Sequence, residues 1–240
     1  HLITLQWLEI VKNRKPWRNA PLQEAVFEIR FPSISDYALF AGGMAMSQKQ
    51  YFPTTQKLQV VDIPEIIELA GLVKHRFISQ DQSLLFQTGS DVISINSINY
   101  KGFPTFSDNI EKILIAAESF VDLSNFTKLG LRYINRFPGV ENPAAVLNIN
   151  LPFSDMDVSK TQVLQIQEVN KIDEEGTLMS LNIQFIAAPK DLILDLDVSL
   201  NLSQESWDVA AISSWANKAH DIIWDKFKTL ISESEKEVRI

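Results

Sequence analysis

The sequence contains no cysteine among its 240 residues, and this absence excludes several kinds of site. Without a thiol the chain can form no disulfide, no cysteine nucleophile and no thiolate metal site. The absence of cysteine also fits a reducing compartment, so we expect a cytoplasmic protein. The three histidines show no metal-ligand spacing, and we therefore expect neither a bound metal nor a cofactor.

Long hydrophobic runs and nucleotide-binding motifs are also missing. No apolar run approaches the roughly 18 residues of a transmembrane helix, and the first residues lack the basic region of a secretory signal, so we expect no membrane attachment. There is no P-loop, GxGxxG motif or serine elbow. A formal net charge of -8 argues against nucleic acid as the main partner, because phosphate backbones repel an acidic protein.

Alternation of apolar and polar residues is the strongest pattern that is present. In residues 128–137 the odd positions are apolar except Asn135, and the even positions carry Arg132 and Arg136. A period of two is typical of a strand. Further strands are predicted at residues 22–31, 56–61, 76–79, 83–88, 92–100, 146–151, 162–170, 177–187 and 192–200. The short turns between several of them require antiparallel hairpins.

Helical spacing separates these strands at three places. We predict helices over residues 35–51, over about four turns from a Thr105–Asp108 capping box to Phe120, and over residues 205–234, with a frayed tail from Glu233. Residues 1–18 combine an apolar stripe with basic residues. We expect them to be a lead-in segment packed on the body, with a partner-docking or membrane-surface helix as the alternative.

The two halves of the sequence share a pattern that indicates an internal duplication. Arg30-Phe31-Pro32 matches Arg136-Phe137-Pro138, and each triplet is followed by a strand meander and one amphipathic helix. We therefore predict an α+β fold with a predominantly antiparallel sheet, or two sheets, and long helices packed on it. Residues 19–240 would form a single domain of two pseudo-repeats, 22–123 and 128–234. Chance similarity within an α+β chain is the alternative.

Four residues are candidates for ligand binding: Arg30, Arg132, Asn135 and Arg136. Guanidinium groups on one strand face could hold a phosphate or carboxylate. The alternative is that these arginines form ion pairs with acids on adjacent strands, namely Glu28, Asp195 or Asp197. Asn135 falls on the apolar face and needs hydrogen-bond partners, which would come from the backbone or from a ligand.

No group of residues forms a convincing catalytic site. Asp195 and Asp197 lie about 6.7 Å apart on one strand face, and their regular alternation indicates a solvated surface rather than an acid–base pair. Asp221 follows His220 directly and would point about 100° away from it on a helix, so it would orient that imidazole poorly. We therefore assign no catalytic residue.

Several stretches resemble the TIGR04255 family, a sporadically distributed prokaryotic group of unknown activity. The matching stretches are residues 21–31, the turn 100–103, Gly130-Leu131-Arg132-Tyr133-Ile134-Asn135-Arg136, and residues 220–231. The resemblance covers about residues 20 to 232 and brings no known chemistry to any residue. The family's patchy distribution implies an accessory or mobile-element role, such as antiviral defence.

These observations favour a non-catalytic protein-interaction module. It would bind a protein partner, or a second copy of itself, through its sheet edges and helices. The first alternative is a sensor of a small anionic molecule, with a pocket between the sheet and the long helix. The second is a hydrolase that uses Asp195, Asp197 or His220.

Overall fold

The computed structural model describes residues 20–58, 70–148, 162–201 and 207–239. These residues form an α+β fold of nine strands and five α-helices. The strands are β1 (Leu22–Arg30), β2 (Thr54–Lys57), β3 (His75–Ile78), β4 (Leu84–Thr88), β5 (Val92–Ser97), β6 (Lys128–Pro138), β7 (Val163–Lys171), β8 (Thr177–Ala187) and β9 (Lys190–Asn201). The helices are α1 (Tyr37–Ser47), α2 (Phe103–Glu118), α3 (Pro143–Val146), α4 (Val209–Leu230) and α5 (Glu233–Arg239). The predicted lead-in, residues 1–18, lies outside the described residues.

All nine strands belong to one antiparallel sheet in the order β2-β3-β4-β5-β1-β6-β9-β8-β7. The predicted fold class is therefore confirmed. Strands β1 and β6, which open the two halves, pair with each other in the middle of the sheet. Outward from this pair, each half continues with its last strand and then with its earlier ones. The strand order is thus the same in both halves, while the duplication itself stays a prediction.

One face of the sheet is the apolar core and carries the helices. The alternating apolar positions of β1, β6, β8 and β9 are buried on it, because a strand turns every second side chain to the same face. Phe27, Leu131 and Leu196 are fully buried at its centre. Helix α4 packs on β6 and β9, and α2 packs against α4.

The helix ends differ in part from the sequence-based expectations. Asp36 caps α1 by accepting from the N–H of Leu39, and Asp208 caps α4 by accepting from the N–H of Ala211. The predicted Thr105–Asp108 capping box is wrong, since α2 begins at Phe103. Gly102 stands before it with φ +106, a left-handed conformation that glycine adopts without strain.

Three further expectations require correction. The strand predicted at residues 146–151 is wrong where the structure describes it, since Pro143–Val146 is helical and Leu147 forms an isolated bridge to Ile231. Positions 149–151 lie outside the described residues, as do residues 59–61 of the strand predicted at 56–61. The last long helix ends at Leu230, and Glu233–Arg239 forms a separate helix rather than a frayed tail. No helix in the described ranges is long and apolar enough to span a membrane.

Candidate interaction surface

The three candidate arginines share the sheet face opposite the helices but do not form one cluster. Arg132 lies opposite Val26 of β1, whereas Arg30 lies opposite Lys128, at the start of β6. Arg136 is four residues beyond Arg132 in the other direction. At about 3.3 Å per residue, neighbouring arginines are about 13 Å apart along the strands. A single small anion therefore cannot contact all three.

Each arginine forms an ion pair with a carboxylate. Arg132 donates Nε and Nη2 to the two oxygens of Asp195, at 2.8 and 2.6 Å. Arg136 donates Nε to Asp191 at 2.7 Å, and Arg30 donates Nε to Glu28 at 2.7 Å. The sequence-based alternative of pairing with neighbouring acids describes this geometry, although Asp191 was not among the acids named. These pairs occupy the guanidinium hydrogens that an anionic ligand would need.

Asn135 lies on the opposite face from the arginines, within the core. Its side-chain amide donates to the carbonyl oxygen of Leu194 on the neighbouring strand, at 3.2 Å. The side chain is buried, and this bond to the backbone provides a partner for a group that would otherwise be costly to bury. The four predicted site residues are thus divided between two faces of the sheet.

The expectation that Asp195 and Asp197 form a solvated face is wrong. Asp195 is buried and Asp197 is half-buried. Burial raises the pKa of the Asp197 carboxyl, and the charges of Lys128 and Arg132 oppose this shift. No group of three or more histidine and acidic side chains in the described part of the chain is arranged to hold a metal ion.

His220 serves as a junction between elements rather than as an isolated base. Its Nδ1 lies 2.8 Å from the hydroxyl of Tyr133 on β6, and that hydroxyl lies 2.9 Å from the hydroxyl of Tyr100. The ring of Phe103, at the start of α2, stacks on the imidazole with a centroid distance of 4.0 Å. Helix α4 is thereby joined to β6 and to α2. The sequence gave no sign of this contact, because Tyr133 and His220 are 87 positions apart.

A cavity of about 230 Å³ lies at the end of α1, between the β3–β4 turn and α2. Tyr51, Asp81, Lys101, Asn109 and Lys112 are among its lining residues. None of the three arginines lines it. This position does not match the pocket predicted between the sheet and the long helix, which would have used the arginines to bind an anion.

The outer edge of β7 is a more distinctive surface. β7 is nine residues long and lies at the end of the sheet, paired with β8 alone among the described residues. Val163 and Val169 are 62% and 53% exposed, although both are apolar. Monomeric proteins usually shorten or charge such an edge, because its unpaired backbone groups can pair with another chain.

The register of the β7–β8 hairpin shows which backbone groups point outward. The N–H of Ile172 donates to the carbonyl of Thr177 at 2.8 Å, and the N–H of Ala187 donates to the carbonyl of Gln162 at 2.9 Å. In an antiparallel pair, alternate residues bond to the partner strand and the others point away. The even-numbered residues of β7 therefore bond to β8. The outward N–H and C=O groups belong to Val163, Gln165, Gln167, Val169 and Lys171, whose side chains are all exposed.

Ion pairs from α4 hold this edge in place from the helix face. Lys218 donates to Asp173 at 2.9 Å in the turn between β7 and β8, and Lys226 lies 3.6 Å from Glu168 within β7. Gly176 completes the turn with φ +93, where a side chain would be strained. Leu164 and Ile166 pack against the core on the same side. The edge is consequently a preformed surface, and binding to it would require little ordering.

The sequence analysis predicted β7 as a strand but did not identify it as a binding surface. A weak signal was present, because Val163 and Val169 share a face with Gln165, Gln167 and Lys171. Comparison with protein-family models, curated proteins and solved structures finds no match for this chain. Its function must therefore be inferred from its own geometry.

Proposed function

We propose that this chain is a non-catalytic protein-interaction module that binds a strand of its partner along the outer edge of β7. The observation that carries the proposal is the long, exposed and partly apolar edge strand, with outward-pointing backbone groups from Val163 to Lys171. Main-chain hydrogen bonds of this kind give affinity in strand addition, and the alternating side chains give specificity.

The state of the polar residues supports binding rather than catalysis. The arginines predicted as anion ligands are paired with Asp195, Asp191 and Glu28. The hydroxyl of Tyr133 lies against His220, on the other face of the sheet from Asp195 and Asp197. A hydrolase would need its acid, base and reacting atom within hydrogen-bond reach of one another.

A role in prokaryotic antiviral defence or in a mobile element is the biological setting we propose. It rests on the resemblance carried by residues 130–136 and the other matching stretches. An acidic cytoplasmic protein with a preformed strand edge would suit an accessory subunit in such a system. The sensor of a small anion remains the alternative, and its pocket would have to be the cavity beside Lys101 and Lys112 rather than a site at the arginines.

Affinity co-purification of the full chain tests the proposal. The edge variant carries Val163→Lys and Val169→Lys, and the control variant carries Thr54→Lys and Gln56→Lys on β2, at the other edge of the sheet. All four positions are exposed, so both variants are expected to fold. We expect a bound protein species, whether another protein or a second copy, to be retained by wild type and by the β2 variant and lost from the β7 variant. Equal retention by both variants, or no bound species, would contradict the proposal.

A further inference from the structure

The sequence of β7 is complementary to itself. We infer that the edge of β7 pairs with β7 of a second copy, antiparallel about a twofold axis at Ile166, which joins the two sheets into one of eighteen strands, twice the nine of one chain. This inference rests on the proposed function and names its partner. The argument comes from the register, the side-chain pairs and the charges of the strand.

Backbone geometry restricts the possible registers. Outward-pointing residues of one copy must face outward-pointing residues of the other, so odd positions pair with odd positions. An axis at Ile166 satisfies this condition. It places Val163 opposite Val169 of the second copy, and Gln165 opposite Gln167 of the second copy. The twofold repeats both pairs, so the two exposed valines of each chain are covered.

The main competing register, with its axis at Gln167, matches the side chains poorly. It would place Val163 opposite Lys171 and Val169 opposite Gln165 of the second copy. On the helix face it would place Ile166 opposite Glu168. The register with its axis at Ile166 instead sets Ile166 against Ile166 of the second copy. Cross-strand pairs of like polarity stabilise a sheet, which favours this arrangement.

The charges on the strand permit the same register. β7 carries one acidic residue, Glu168, and one basic residue, Lys171. Glu168 would face Leu164 of the second copy, and its carboxylate keeps its own partners: Asn170 donates to it at 2.8 Å and Lys226 lies 3.6 Å away. No like charges are set opposite each other. The net charge of -8 on each chain opposes association at low salt, so we expect added salt to strengthen the dimer.

Sedimentation equilibrium measures the association directly. At about 100 μM chain, a concentration that reveals a micromolar dimer, we expect the mass to rise from the 27.2 kDa of the monomer toward twice that value. The variant with Val163→Lys and Val169→Lys would set lysines opposite each other and should raise the dimer dissociation constant at least tenfold. The variant with Thr54→Lys and Gln56→Lys should leave it unchanged. A monomer at this concentration would overturn the inference.

Disulfide trapping measures the register, and the absence of native cysteine removes any background. Residues at a non-hydrogen-bonded position lie about 4.5 Å apart between Cα atoms, within disulfide range. We expect Ile166→Cys to form a covalent dimer under mild oxidation, and Gln167→Cys and the β2 control Thr55→Cys to form little. Preferential trapping of Gln167→Cys would overturn the proposed register.

A second pair of variants covers the case in which Ile166→Cys, at a half-buried position, fails to fold. The exposed variants Val163→Cys and Val169→Cys should form a mixed disulfide with each other and little with themselves. Absence of the mixed species would count against the inference. If the chain is monomeric while another protein still binds in a manner that Val163→Lys and Val169→Lys abolish, the self-pairing fails and the proposed function stands.

Discussion

Strands β6 and β7 belong to the same half of the chain and both alternate, yet they have different roles in the sheet. β6 has eleven residues and pairs with β1 on one side and β9 on the other. β7 has nine residues and, in the described ranges, pairs with β8 alone. The odd residues of β6 are buried, whereas those of β7 are exposed. Alternation therefore identifies a strand, but the number of paired sides decides whether the strand stabilises the fold or presents a surface.

Removing a core side chain from the central strand should give the largest effect. Leu131→Ala in β6 removes a fully buried side chain, and we expect the free energy of unfolding to fall by about 3 kcal/mol. Val169→Ala in β7 should change it by less than about 0.5 kcal/mol. Urea unfolding of the two variants measures both values. Similar losses would show that β7 is as well packed as β6.

Proline substitution should separate the two sides of β7 itself. The backbone of Ile166 points toward β8, opposite Ile183, so Ile166→Pro removes a ladder donor and leaves a carbonyl unpaired. An unpaired carbonyl costs about 1–3 kcal/mol. Gln167→Pro removes an outward N–H instead, which an edge strand tolerates, and we expect a loss of about 1 kcal/mol or less.

The same pair of variants also tests the binding surface. Gln167→Pro should fold, as judged by its unfolding transition, but it should weaken association at the β7 edge. Ile166→Pro should instead show its main effect in urea unfolding. If Gln167→Pro proves the less stable of the two, the outward and inward rows of β7 have been assigned the wrong way round.

The sequence predicted much of the fold because alternation and helical spacing are local signals. Residues 22–31 and 177–187 were predicted as strands within one residue of their observed bounds, and the strand alternation also placed Arg132 and Arg136 on one face. Cross-strand neighbours were less accessible. Asp191 faces Arg136 through the β6–β9 pairing near the turn, a contact that depends on register rather than on spacing along one strand.

The candidate surface was beyond the reach of the sequence for a related reason. Whether Val163 and Val169 are buried depends on the strand next to them, and that is fixed only when the whole sheet is assembled. The tyrosine–histidine contact of Tyr133 and His220 similarly requires α4 to lie across β6. Local patterns identified the elements, whereas the contacts between distant elements decided which residues are exposed.

Ion pairs provide a third test of the difference between centre and edge. Arg132→Met would leave the Asp195 carboxylate, whose side chain is 11% exposed, without its bidentate partner. Breaking a buried pair costs about 3–5 kcal/mol. Because the Arg132 side chain is half-exposed, we expect a smaller loss of about 1–2 kcal/mol.

The matched control for this pair lies at the sheet edge. Lys171 and Glu174 form an exposed ion pair at 3.4 Å beside the β7–β8 turn, and Lys171→Met should cost less than about 0.5 kcal/mol. Urea unfolding at low and high salt should show a salt-dependent loss for neither variant beyond these values. Restoring neutrality with Arg132→Met and Asp195→Leu together should recover part of the stability. Failure to recover any would mean that packing of the arginine stem, rather than the charge, is responsible.

Two carboxylates, one central and one at the β7–β8 turn, give the smallest but most specific effect, because their pKa values shift in opposite directions. Burial raises the pKa of Asp197 above its ordinary 3.8, so its ionised form destabilises the fold above the folded-state pKa and the cost disappears below 3.8. For Asp173, burial alone would raise the pKa, but bonds from the Lys218 ammonium and the Thr177 N–H outweigh it and hold the pKa at about 2. That stabilisation is present above pH 3.8 and is lost as the pH falls through about 2.

The two substitutions should therefore differ in sign at neutral pH. Asp197→Asn should increase the free energy of unfolding at pH 7, and this gain should vanish as the pH falls through the raised pKa to below 3.8. Asp173→Asn should lower it at pH 7, with the loss shrinking between pH 3.8 and about 2. Urea unfolding of both variants from pH 7 downward measures the curves. Curves of the same sign would show that the central carboxylate is as well solvated as the one at the edge, and that burial does not distinguish the middle of this polar face from its margin.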